Sequence, residues 1–126
     1  MQTPEDLHYT DEHEWIREVT NSRGRIGITD YAQDQLGDVV YVELPEVGKA
    51  VAKDDLVVEI ESTKSVGEVY APFAGTIAAV NGAVAETPEL VNTSPYEDGW
   101  LVEIDVSGAV DLSGLLDAAA YTDLTE

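Results

Sequence analysis

LVVEIESTKSVGEVYAPFAG, residues 56–75, sets two runs rich in β-branched and aromatic residues around a short polar segment. That is the pattern of two strands joined by a turn. Leu56, Val58 and Ile60 fall on one face and Val57, Glu59 and Glu61 on the other, so a hairpin is expected over 56–71. Lys64 stands at its tip and is the last basic residue of the chain: no Lys or Arg occurs from Ser65 to Glu126. Ser62, Thr63 and Ser65 can bond locally to backbone and hold the turn, although the common Asn-Gly or Asp-Gly signal is missing. A lysine on a fixed, exposed tip suits a side chain that another active site must reach. A merely solvated surface lysine is the ordinary alternative.

Outward from the hairpin, further strands are expected at 13–19, 25–29, 39–44, 75–80 and 100–106, where similar runs lie between Gly, Pro, Asn and Asp. Helix is expected in two places. One lies near 30–36, with Thr29 or Asp30 as N-cap and Gly37 as the stop. The other is a C-terminal helix near 112–124, with Leu112, Leu115, Leu116 and Ala119 on one face. KAVAKDDLVV (49–58) also lines up with GAVAETPELV (82–91) at an offset of 33 residues. If that repeat is structural, two similar strand-turn units pack as a two-fold β-sandwich, with the stretch near Glu97 as counterpart of the lysine tip. The fold class is therefore β-rich α+β, a sandwich in a single domain spanning 1–126.

Composition narrows the functions. At 126 residues with 44% apolar side chains, the chain can bury a core without disulfides. It has no cysteine, which excludes disulfides, thiolate catalysis and zinc–thiolate sites. The net charge of −20 repels phosphate backbones and anionic headgroups, so neither nucleic acid nor a membrane surface is an expected partner. The charge favours docking on basic protein surfaces; a proteome-wide acidic bias is the bland alternative. No apolar run is long enough to cross a bilayer. The acidic start MQTPEDLHYTDEHEW lacks signal-peptide features. A cytoplasmic location is expected; a mitochondrial-matrix one would require a processed form.

Catalytic machinery is not evident. A Schiff-base lysine needs burial or a nearby cation, and the neighbourhood of Lys64 offers Glu61 and Glu68 instead. His8 and His13, five positions apart in an extended stretch, do not have metal-ligand spacing. There is no Gly-x-Ser-x-Gly elbow and no phosphate-cradling glycine loop.

ESTKSVGEVYAPFAG (61–75) resembles the lipoyl-lysine segment of the H-protein family of the glycine cleavage system. YTDEHEW (9–15), GITDYAQDQLGDVVYVELPEVG (27–48) and LVNTSPYEDGWLVEI (90–104) are similar to that family's other blocks, in the same order. The resemblance implies a lipoyl-type barrel-sandwich fold, with lipoate in amide linkage to Lys64. It also implies three enzyme partners. A pyridoxal-phosphate glycine decarboxylase (P protein) loads an aminomethyl group on the arm. A tetrahydrofolate-dependent aminomethyltransferase (T protein) removes it, and a flavin-dependent dihydrolipoyl dehydrogenase (L protein) reoxidises the arm. The chain itself would be a non-catalytic carrier, expected as a monomer that presents one tip to several enzymes. By the same resemblance Glu14 is the candidate carboxylate of an arm-docking cleft, and Glu61 and Glu68 are candidates for recognition by the lipoylating enzyme. For all three, an ordinary exposed acid is the competing reading. Asp11 and Glu12 look variable.

Competing functions share the same lysine. A biotin carrier is disfavoured because Met1 is the only methionine. A lipoyl domain of a 2-oxoacid dehydrogenase would be shorter and followed by a linker. A lipoyl donor to other lipoate-dependent enzymes, and a plain binding module with unmodified Lys64, stay open on sequence alone.

Overall fold

A computed structural model describes residues 2–125. Nine strands and four helices follow in the order β1 (His8–Tyr9), β2 (Glu14–Thr20), β3 (Arg23–Ile28), α1 (Asp30–Leu36), β4 (Val39–Glu43), β5 (Ala50–Val51), β6 (Leu56–Ser62), β7 (Val66–Tyr70), β8 (Gly75–Val80), α2 (Gly82–Glu86), α3 (Leu90–Thr93), β9 (Val102–Asp105) and α4 (Ala118–Thr125). They form a six-stranded sheet, β1-β2-β3-β9-β8-β5, and a three-stranded sheet, β4-β6-β7. Every strand pairing is antiparallel. The inner faces enclose one apolar core that includes Ile16, Ile26, Val58, Ile60, Val69, Ile77 and Ile104. The two-sheet architecture and the seven strands expected from the apolar runs are present. β1 and β5, two residues each, carry too little pattern to be legible.

α1 forms where its caps dictate. Thr29 Oγ1 accepts the Ala32 amide at 3.1 Å, and Gly37 closes the helix at φ 89°, a left-handed conformation natural to glycine. The hairpin β6–β7 is also present, but its alternation is broken. A register shift between Leu56 and Val58 turns both Val57 and Val58 inward and leaves Leu56 37% exposed. A bulge places two residues opposite one, so the period-2 reading of 56–60 fails at its start.

Two further expectations need correction. Residues 112–117 are not helical; α4 begins only at Ala118. Leu116 instead exchanges both backbone hydrogen bonds with Tyr9, at 2.7 and 2.8 Å. Asp117 then receives the Ala120 amide on its side chain at 2.8 Å, as an N-cap does. The apolar spacing that suggested one long helix belongs to a bridging segment followed by a short one. The 33-residue offset is not a structural repeat either: Ala50–Val51 is extended and pairs with β8, while its partner stretch folds as α2 and α3. Asn81 decides this locally, because its Oδ1 accepts the Ala83 amide while Nδ2 donates to the Asp98 and Trp100 carbonyls, both at 2.7 Å. The stretch near Glu97 is consequently a turn after α3, with no resemblance to the lysine hairpin.

A second cluster of Leu7, Tyr9, Trp15, Tyr96, Ala118 and Tyr121 seats α4 against β1 and β2. Trp15 is fully buried, and its indole N–H donates to the Pro95 carbonyl at 2.9 Å. All three arginines lie on β2 and β3, where Arg23 bonds Asp105 at 2.6 Å and Arg25 bonds Glu103 at 2.8 Å.

The closest backbone approach in this frame is at Gly75. An added Cβ there would collide with the Asp105 carbonyl oxygen and stand 2.7 Å from Ile104 Cγ2. Gly75→Ala is expected to destabilise the fold by about 2–3 kcal/mol. Gly82→Ala, with no atom within 4 Å of the new methyl, should change stability by less than about 1 kcal/mol, in the stabilising direction. Urea denaturation of both variants checks the contrast, and equal effects would contradict this packing.

Candidate functional site

The Lys64 tip is held from within and from below. The Ser62 hydroxyl accepts the amides of Lys64 (3.3 Å) and Ser65 (3.0 Å), and donates to the Ser65 carbonyl (3.2 Å). Ser62 N–H also donates to that carbonyl at 2.9 Å. One serine therefore supplies the turn chemistry that Asn-Gly would otherwise give. Thr63 N–H donates to Asp38 O at 3.0 Å, anchoring the tip on the α1–β4 corner. The contact is close: a Cβ at Gly37 would stand 3.0 Å from Lys64 Cε, and one at Gly67 would stand 3.3 Å from Leu36 Cδ1. Lys64 itself is exposed, and it takes part in no ion pair among the described residues.

Asn92 braces the corner beneath. Its Oδ1 accepts the Val39 amide at 2.8 Å, and Nδ2 donates to Gly37 O (2.9 Å) and Gln33 Oε1 (3.0 Å). Sequence reading missed this residue. It lies in the LVNTSP block, but an asparagine between Val91 and Thr93 gives no local sign of a partner more than fifty positions away.

Beside the tip a groove of about 340 Å³ opens between α1 and β7. Ile28, Tyr31, Ala32, Leu36, Ile60 and Val69 supply apolar wall, with Ser65 and Gly67 at the end nearest Lys64. Such a lining fits an apolar, flexible chain tethered at the tip, so the residues present are compatible with a lipoyl arm. A second recess of about 590 Å³ is walled by Glu14, Lys53, Asp54, Tyr70, Phe73 and Leu115, among others. Glu12 borders both recesses, a position that its variable appearance in sequence did not suggest.

The other sequence candidates separate in space. Glu68 is exposed on the rim of the groove and accepts the Tyr70 hydroxyl at 3.1 Å. Glu61 is exposed between Tyr41 and Val66, its cross-strand neighbours. Glu14 is not an exposed strand carboxylate: it is 2% exposed. One oxygen accepts the Tyr70 amide at 2.6 Å and the other accepts the Thr10 hydroxyl at 3.1 Å. Burial pushes its pKa up to about 7, against the opposing effect of those two hydrogen bonds. His13 contributes to the groove wall, and burial lowers its pKa, against the opposing charge of Asp11. No group of three or more His, Cys, Asp or Glu residues suited to a metal occurs among the described residues, and no described helix is long and apolar enough to cross a membrane.

The raised pKa of Glu14 has a consequence for stability. Between its ordinary value of 4.5 and about 7, the folded chain binds more protons at this site than the unfolded chain. Stability contributed here therefore falls as pH rises through that window. Glu14→Gln should remove this dependence, improving the variant relative to wild type by on the order of 3 kcal/mol between pH ~4.5 and ~8. Urea titrations at both pH values read the difference, and parallel behaviour of the two proteins would overturn the assignment.

Comparison with known proteins agrees with this geometry. Residues 7–126 match the family model described as Glycine cleavage H-protein. The chain is 53% identical over 123 residues to the glycine cleavage system H protein of Nocardia farcinica, covering 94% of this chain and 93% of that one. For that of Micrococcus luteus the identity is 54% over 123 residues, covering 97% and 96%. For that of Anaeromyxobacter sp. (strain K) it is 51% over 126 residues, covering 100% and 98%. The crystal structure of a glycine cleavage system H protein from Mycobacterium marinum superposes with a TM-score of 0.85 at 38% identity, covering 95% of this chain and 96% of that one. That likeness bears out the lipoyl-type barrel-sandwich class expected from sequence. The chain belongs to the glycine cleavage H-protein family.

Proposed function

We propose that this chain is the lipoyl carrier of a glycine cleavage system, with lipoate in amide linkage to Lys64. It would move the aminomethyl group of glycine from the pyridoxal-phosphate decarboxylase to the tetrahydrofolate-dependent aminomethyltransferase, and be reoxidised by dihydrolipoyl dehydrogenase. The observation that carries the reading is the placement of Lys64: exposed, on a turn pinned by Ser62 and Asp38, next to Ser65 at the edge of an apolar groove. The bound group would supply the sulfur chemistry. The protein's own residues present the tether, offer an apolar rest for it and exclude water from that rest.

Glu14 and Glu12 extend this role. Glu12 stands where the groove meets the second recess, and Glu14 forms part of that recess wall. A cationic amine brought to this junction would favour ionisation of Glu14, whose pKa burial raises to about 7. Glu61 and Glu68, exposed on the two strands that carry the tip, are available to a lipoylating enzyme that approaches Lys64. Weak, fast docking on several enzymes in turn suits the acidic surface.

Intact mass and peptide mapping of protein purified from lipoate-replete cells should show a lipoyl adduct on Lys64 that is absent from Lys64→Arg. Unmodified Lys64, in cells that lipoylate their other carriers, would sink the carrier reading.

A further inference from the structure

We propose that the hydroxyl of Tyr121, on the C-terminal helix, is a positioning group for the arm groove; this rests on the reading that the arm docks there. The Tyr121 oxygen lies 2.8 Å from His13 Nδ1 and 2.7 Å from Thr29 Oγ1. His13 lines the groove directly, with its ring 4.8 Å from that of Tyr31. Thr29 caps α1, the helix that supplies Tyr31, Ala32, Gln35 and Leu36 to the groove wall. One buried hydroxyl of α4 therefore ties the 10–13 turn to the start of the helix that forms that wall.

Thr29 Oγ1 accepts the Ala32 N–H. With His13 Nδ1 unprotonated, the Tyr121 hydroxyl donates to it and accepts from Thr29; in the Nδ1–H tautomer the two bonds run the other way. His13 also has φ 70°, a left-handed conformation that a non-glycine residue keeps only when its surroundings hold it. The Thr29 N–H to His13 O bond at 3.1 Å and the His13 N–H to Thr10 O bond at 3.2 Å hold its backbone; the Tyr121 hydroxyl holds its ring. Without that hydroxyl the 10–13 turn is free to relax and the groove to widen. The ring itself has a separate anchorage, stacked on Tyr9 at 4.7 Å and 13°, so Tyr121→Phe removes the oxygen while leaving the packing.

The test is amide NMR on ¹⁵N-labelled, lipoylated protein loaded by incubation with glycine and the decarboxylase. It compares shifts at Tyr31, Leu36 and Gly67 with those of the unlipoylated chain. Wild type should show groove shifts, and Tyr121→Phe should lower the docked population roughly tenfold, the equivalent of one lost hydrogen bond. Core amides such as Val58 and Ile104 should be unmoved. His13→Phe, which removes the ring nitrogen, should reproduce the loss and serves should Tyr121→Phe not fold; Thr29→Ser, which keeps the hydroxyl, should dock as wild type does. A purely structural tyrosine would lower stability and leave the groove shifts intact, and that result would overturn the proposal. Absence of groove shifts in loaded wild type would refute arm docking itself, and this inference with it.

Discussion

The Glu14 carboxylate receives the Tyr70 amide at 2.6 Å, and this bond joins the two sheets at the site. Glu14 opens β2 in the six-stranded sheet, and Tyr70 ends β7 at the edge of the three-stranded one. An edge amide at a sheet junction needs an acceptor, and a buried carboxylate is a strong one. Thr10 holds the second oxygen. The lysine hairpin thus stands in a fixed relation to the 10–14 turn, and both bonded residues line the larger recess. The cost is a carboxylate in a dry place, visible as its raised pKa.

A second constraint works at the other end of the hairpin. Thr63 rests on Asp38, Gly37 lies under the lysine stem, and Asn92 clamps the corner that carries both. A carrier side chain has to be mobile beyond its tether, while the tether itself is fixed. Here the fixed part ends at the Lys64 backbone, and no ion pair among the described residues detains the side chain. The charge distribution is consistent with this. The arginines are neutralised locally on β2 and β3, remote in sequence from the tip, which leaves the three lysines, Lys64 among them, without ion pairs among the described residues of an acidic molecule.

What was legible in the sequence follows from how local each signal is. Thr29 and Gly37 bracket α1 because capping is decided within a few residues. The strand runs and the lysine tip were legible for the same reason. The bulge at 56–58 was not, because it depends on which partner residue faces which. Ala-Val begins a strand in one copy and lies in a helix in the other, since the pairing with β8 and the Asn81 cap act from outside the repeat. At 112–117, helical spacing yielded to a bridge with Tyr9, more than a hundred positions away. In the site, Lys64 needed only its own segment. The burial of Glu14, the brace at Asn92 and the position of Glu12 between two recesses are all products of the packed fold.

The proposed tether at Lys64 would make this chain a working substrate of glycine decarboxylation. The most direct measurement is release of labelled carbon dioxide from carboxyl-labelled glycine by a family-matched pyridoxal-phosphate decarboxylase, titrated with the lipoylated chain. Release that saturates with lipoylated wild type and is absent with Lys64→Arg is the expected result. A folded, fully lipoylated chain that supports no release would contradict the carrier role and leave donation of lipoyl groups to other enzymes as the function of the same lysine.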